Sequence, residues 1–215
     1  LSIQAKDLHL EGSTVSNNSS ATFDIENTFT DTSNNFSGNN NISVQVSSLN
    51  SQSTSFNNNS ELFMNYNDGS WNDNQLQGNG NFRLSGSSST QVYQLNSMSN
   101  HGPLKIQSST SVQIDSSIFE SNNATALEFD NVSNAVIQNS EFKENNGGGI
   151  YLLNSDNVRI TKTYGEMNIA SSGGFIQMFN SSEVAIDSIV AFNNHANNDG
   201  GAIYISNSDV TLDKS

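Results

Sequence analysis

Four segments of the chain repeat one spacing of apolar residues and asparagine: 126–134 (ALEFDNVSN), 149–157 (GIYLLNSDN), 175–183 (FIQMFNSSE) and 202–210 (AIYISNSDV). In each, two apolar residues stand two apart and an Asn follows two later: Leu127, Phe129, Asn131; Ile150, Leu152, Asn154; Ile176, Met178, Asn180; Ile203, Ile205, Asn207. A period of two is strand alternation with one buried face. Weaker versions run towards the N-terminus through Leu104, Phe82, Leu62, Ile42, Phe23 and Leu1. A second apolar pair follows each triplet, as in Val112 and Ile114, Ala135 and Ile137, Val158 and Ile160, Val184 and Ile186, and Val210 and Leu212. Phe119, Phe142, Tyr164 and Phe192 mark a third apolar site. Three short strands per turn of roughly twenty residues predict an all-β fold, a parallel β-helix of about ten coils. At about 4.8 Å per coil the rod would be roughly 45 Å long.

Composition agrees with a narrow core. Hydrophobic residues make up only 33% of the 215 residues, while Asn (36) and Ser (38) are abundant enough to raise the alternative of disorder, which the regular spacing argues against. Asn tolerates the left-handed backbone of tight corners, and stacked Asn side chains can hydrogen-bond as a ladder. Asn131, Asn154, Asn180 and Asn207 are the expected structural ladder, pointing inward at the corner after the first strand. The single proline, Pro103, precedes a strand, where a missing N–H is tolerated. The domain reading is one β-helix over 1–215, with irregular coils in 1–101 and regular coils in 102–215.

The stretch IYLLNSDNVRI (150–160) resembles the strand–Asn turn–strand signature of the pectate-lyase-like, right-handed parallel β-helix superfamily. GGGI (147–150), GGFI (173–176) and GGAI (200–203), with FESN (119–122) and FKEN (142–145), are similar to the repeats of polymorphic outer-membrane proteins and of surface proteins of protists. The resemblance implies the fold and an extracellular or cell-surface setting, and much less an activity.

The charge of −14, with seven scattered basic residues, lacks the footprint that nucleic acid requires, and no apolar run is long enough to span a membrane. Polygalacturonase-like enzymes carry NTD, an Asp pair, GHG and RIK in that order. Here NHG (100–102), RIT (159–161) and NNDG (197–200) come in the wrong order, and Thr161 stands where the lysine would be. Asp115, Asp187 and Asp213 share a repeat column, yet glycoside cleavage needs two carboxylates flanking one bond. His9, His101 and His195 are far apart in the repeat count, and 66–74 (YNDGSWNDN) offers oxygen ligands only around an expected turn. No catalytic, cofactor or metal residue is assigned.

Outward residues of the first strand column should be Arg83, Lys105, Glu128, Tyr151, Gln177 and Tyr204, so Tyr151 and Tyr204 form a possible binding face for a carbohydrate or another partner. Of eight N-glycosylation sequons, Asn17, Asn35, Asn58 and Asn123 are the candidates; Asn131 and Asn180 are expected to be shielded by their inward placement. The core pattern runs into both ends, from Leu1 to a coil that stops part-way at Ser215. This predicts continuation of the solenoid, by covalent chain or by a like subunit. The expected role is an extracellular structural solenoid (coat, stalk or fibril subunit), with an adhesin or carbohydrate-binding module as the alternative.

Overall fold

The structure is a computed structural model that describes residues 1–214; Ser215, the expected mid-coil stop, lies outside the described residues. All its strand pairings are parallel and stack the chain into a solenoid with three faces. Inward residues align along the first face as Phe82–Leu104–Leu127–Ile150–Ile176–Ile203. Val112–Ala135–Val158 and Ile114–Ile137–Ile160–Ile186–Leu212 do so along the second. The third face stacks three-residue strands from Thr14–Ser16 to Val190–Phe192. The first-face and second-face columns expected for these coils are as predicted. One triplet is not: Ala21, and not Phe23, pairs with Ile42, a slip of two that leaves the same face buried.

In residues 1–101 the strands Ser2–Glu11, Ala21–Thr32, Glu61–Asn72 and Asn81–Tyr93 run across the first and second faces without a tight corner. Register shifts at Ala5/Asp7 and Gly86/Ser89 bend two of them instead. From Ser108 onward the corner opens on a left-handed residue, Ser108, Asn131, Asn154, Asn180 or Asn207, and Asn134, Asn157 and Glu183 add a second one three residues later. The half whose first-face pattern is weaker in sequence therefore has the more uniform coils, and the later coils carry the loops. The segment 66–74 is mostly strand, not a turn: Tyr66, Gly69 and Trp71 are buried and Asp68 faces out, so its oxygens do not converge.

Aromatic rings stack along the third side of the core. Phe36 lies on Phe56 at 5.1 Å and Phe119 on Phe142 at 4.7 Å, both close to parallel. Two of the four expected aromatic sites are displaced. Gly165 and Ala191, not Tyr164 and Phe192, continue the Phe119–Phe142 column, so Tyr164 faces outward and Phe192 is 52% exposed. The space at Gly165 is taken by Phe175, whose ring a Cβ there would meet at 2.3 Å. A loop residue thus supplies the aromatic that the column lacks.

Asp31 is buried in the second-face inward column between Leu10 and Ser51. It accepts hydrogen bonds from Asn34 and from Ser51 Oγ (2.9 Å). Burial raises its pKa above the usual 3.8, against the lowering effect of its hydrogen-bond donors Asn34, Ser51 and Thr54. With the folded pKa above the unfolded one, its stabilising contribution is complete below the unfolded value and is lost as pH rises through the folded value. Asp31→Asn, neutral throughout, is expected to melt above the parent at pH 7 and to lose that advantage near pH 4. Thermal denaturation across pH checks this; a difference that does not change with pH would refute it.

Candidate functional site: ladders and the outward face

The strongest side-chain constellation is a ladder of nine asparagines, half-buried at Asn18 and Asn194 and buried in between at Asn39, Asn59, Asn79, Asn100, Asn122, Asn145 and Asn168. Each lies three residues after the central residue of a third-face strand, as in Phe36–Asn39, Phe56–Asn59, Phe119–Asn122 and Phe142–Asn145. A left-handed residue precedes each rung, for example Gly38, Asn58, Gly78 and Glu144. It turns the chain so that the next Cβ enters the core.

The rungs saturate the amide. Asn145 Oδ1 accepts from the backbone N–H of Asn122 (3.1 Å) and from its Nδ2 (2.8 Å). Asn145 Nδ2 donates to Asn168 Oδ1 (2.8 Å) and to the Phe119 carbonyl (3.0 Å). Two donors and two lone pairs are all used, the only cheap way to bury such a group.

The expected ladder of Asn131, Asn154, Asn180 and Asn207 is not the inward one. All four are exposed with φ between 46° and 58°. The left-handed turn breaks the in–out alternation, so the following residue enters the core instead. There a hydroxyl ladder forms: Val132 N–H to Ser155 Oγ, Ser155 N–H to Ser181 Oγ, and Ser181 N–H to Ser208 Oγ (3.0 Å). The outer asparagines make a surface ladder of their own, with Asn180 Nδ2 to Asn154 Oδ1 at 3.4 Å and Asn207 Nδ2 to Asn180 Oδ1 at 2.8 Å. Asn131 and Asn180 are therefore not shielded as glycan acceptors. Of the other sequons, Asn17, Asn41, Asn58 and Asn123 are exposed, Asn35 is half-buried in a strand, and Asn18 is a ladder rung.

The outward column of the first face runs Arg83–Lys105–Glu128–Tyr151–Gln177–Tyr204. Lys105 Nζ lies 2.8 Å from Glu128 and 2.7 Å from Asp130. Burial draws its pKa down, but the hydrogen bonds and charges of Asp130 and Glu128 outweigh that and hold it above the usual lysine value. Next to this cluster Tyr151, Phe179 and Tyr204 form a half-buried aromatic strip, with ring centroids 5.9 and 5.5 Å apart. Burial, with the charges of Glu128 and Asp130, raises the Tyr151 phenol. The expected face was Tyr151 and Tyr204; Phe179, two residues along its strand, joins them. Midway along the face Arg83 sits over the Phe63 ring at 6.0 Å beside an open groove also lined by Asn41, Glu61 and Asn81.

The hydrolase-like motifs are dispersed. Asn100 is a buried rung, while His101 is exposed and 3.3 Å from Asn123. Arg159 is on the second face, 3.5 Å from Asp187. Asp115, Asp187 and Asp213 do share one second-face column, but Gln138 and Thr161 separate Asp115 from the other two. Burial pushes the Asp115 carboxyl up, and hydrogen bonds from Asn139, Gln138 and Ser116 overcome that and hold it below the usual range. Among the described residues no three His, Asp or Glu side chains converge as metal ligands.

No curated protein and no solved structure matches the chain. The family model for the right-handed beta helix region matches residues 80–215, more than half of the chain. With the parallel three-faced stack and its polar ladders, this places the chain in the right-handed β-helix family.

Proposed function

We propose that the chain is a structural segment of an extracellular β-solenoid, a coat, stalk or fibril element that stacks end to end with like subunits. The observation that carries this reading is the unbroken asparagine ladder. It commits one buried side chain per coil to axial continuity and runs through the same rod as the stacked hydroxyls of the first corner. Ile205 and Leu212 are inward residues of the last described coil. End-to-end stacking of like subunits is a heterologous contact that generates a filament. A secreted setting would leave Asn17, Asn58 and Asn123 accessible to N-glycosylation at the corners, and Asn35 less so.

Sedimentation velocity and negative-stain electron microscopy of the purified chain test the reading. The expected result is concentration-dependent, end-to-end association that Ile205→Lys with Leu212→Lys abolishes. A monomer at high micromolar concentration, unchanged by the two lysines, would overturn it.

A further inference from the structure

We infer that the third face, from Ile118 to Phe192, is a docking surface for a basic amphipathic segment of a partner protein. Eight large hydrophobic side chains are exposed among the described residues. Five of them, Ile118, Met167, Ile169, Val190 and Phe192, belong to this face or to the corner that follows it. Two outward columns run along the face, Ile118–Glu141–Tyr164–Val190 and Glu120–Lys143–Glu166–Phe192. Val190 and Phe192 point outward because Ala191 between them continues the inward column of Phe119, Phe142 and Gly165. Their exposure is thus set by strand alternation. Tyr164 and Val190 are register neighbours. The Met167 N–H donates to the Phe192 carbonyl (3.0 Å), so this corner residue stands beside the Phe192 strand. Ile169, two residues on, is again exposed. A cluster of apolar side chains on a water-facing sheet marks an interaction surface, whereas singly scattered ones do not.

Charge decides what kind of partner fits. The outward columns hold three carboxylates, Glu120, Glu141 and Glu166, and one cation, Lys143. Lys143 is ion-paired with Glu141 and lies over the Tyr164 ring at 5.5 Å. Glu120 and Glu166 flank it in its own column, and neither forms a salt bridge among the described residues. The corner residues Glu144 and Lys162 add one charge of each sign. An apolar patch beside unpaired carboxylates is complementary to a segment whose apolar side chains are flanked by Lys or Arg. The chain's charge of −14 attracts such a segment from a distance. A second copy of this chain would bring the same glutamates against one another, and like charges oppose that contact.

Fluorescence anisotropy of a labelled amphipathic Leu/Lys peptide tests the inference, with a Leu/Glu peptide of the same pattern as control. The Leu/Lys peptide is expected to bind and the Leu/Glu peptide is not. Val190→Ser with Phe192→Ser should weaken binding by about tenfold at an unchanged melting temperature. Glu120→Gln with Glu166→Gln should also weaken it and flatten its salt dependence. Asp24→Asn with Asp68→Asn, which removes two carboxylates from the other two faces, should bind like the parent. No binding, or equal binding of the Leu/Glu peptide, would overturn the inference. So would binding that ignores either third-face variant, or an equal loss in the Asp24 and Asp68 variant, since the contact would then be no more than the net charge of the chain. Side-by-side association of the chain that Val190→Ser with Phe192→Ser abolishes would overturn it as well, by seating a second copy on the face. End-to-end association is read separately, from Ile205→Lys with Leu212→Lys.

Discussion

Replacing Asn145 with leucine is expected to destabilise the solenoid by about 4 kcal/mol or more, a large part of the 5–15 kcal/mol that holds a typical domain. The side chains share the same branched skeleton, so most of the loss is polar. Four hydrogen bonds disappear together: two from Asn122 into Asn145 Oδ1, and two from Asn145 Nδ2 to Asn168 Oδ1 and the Phe119 carbonyl. The groups left behind are buried on both sides, with Asn122 and Asn168 about 1% exposed or less, so water cannot replace the missing partner. Each orphaned donor or acceptor costs about 1–3 kcal/mol. Asn154→Gly removes an amide of the same chemistry from the exposed ladder while keeping the left-handed backbone, and water re-pairs every group there, so it should cost only a fraction as much. Chemical denaturation of the two variants side by side checks the claim. Equal losses would mean that the inner ladder is no more important than the outer one.

That pair of asparagines also shows how far the sequence could be read. Ile150, Leu152 and Asn154 keep a period of two, and extending the alternation one step puts Asn154 inside. The extension fails at one dihedral. Asn154 has φ 48°, and a left-handed residue resets the side-chain parity, so Asn154 faces water and Ser155 enters the core. Strand interiors were legible because their alternation is steric; corners were not, because Asn suits both a left-handed turn and a buried rung. The signal that separates the two roles was present in FESN and FKEN. Phe142 and Asn145 are three apart, an odd spacing that brings both inward only if a turn residue between them breaks the alternation. Glu144, at φ 55°, does so. The same reset explains why Tyr164 and Phe192 left the core, and no local pattern announced that Phe175 would fill the space over Gly165 from a loop. The outward column was read correctly as far as Tyr151 and Tyr204. Phe179 completes the strip because it is also outward, in the neighbouring column, where only the register between coils reveals its contact with both.

Leu152→Asp is expected to be the most disruptive single change, exceeding about 5 kcal/mol. Leu152 is fully buried between Phe129 and Met178 in the first-face column. Removing its side chain forfeits about 2–5 kcal/mol of burial and packing. The carboxylate adds a desolvation cost with nothing to offset it, since the lysines and arginines of this region, Lys105, Lys143, Arg159 and Lys162, all lie outside the hydrophobic core. Leu153→Asp, one residue on, places the same charge on the outer face beside Asp130 and should cost only about 1 kcal/mol, which separates burial from charge. The damage should also be local. Each coil touches only its neighbours, so a solenoid's stability is close to a sum of coil and interface contributions. The N-terminal coils keep their own aromatic stack, from Phe23 through Phe36 and Phe56 to Phe82. Hydrogen exchange on Leu152→Asp should therefore show protection lost over the coils around 127–179 and largely retained before residue 100. Uniform loss along the whole chain would instead mean that the rod unfolds as one cooperative unit, and that the ladders couple its coils more strongly than nearest-neighbour packing does.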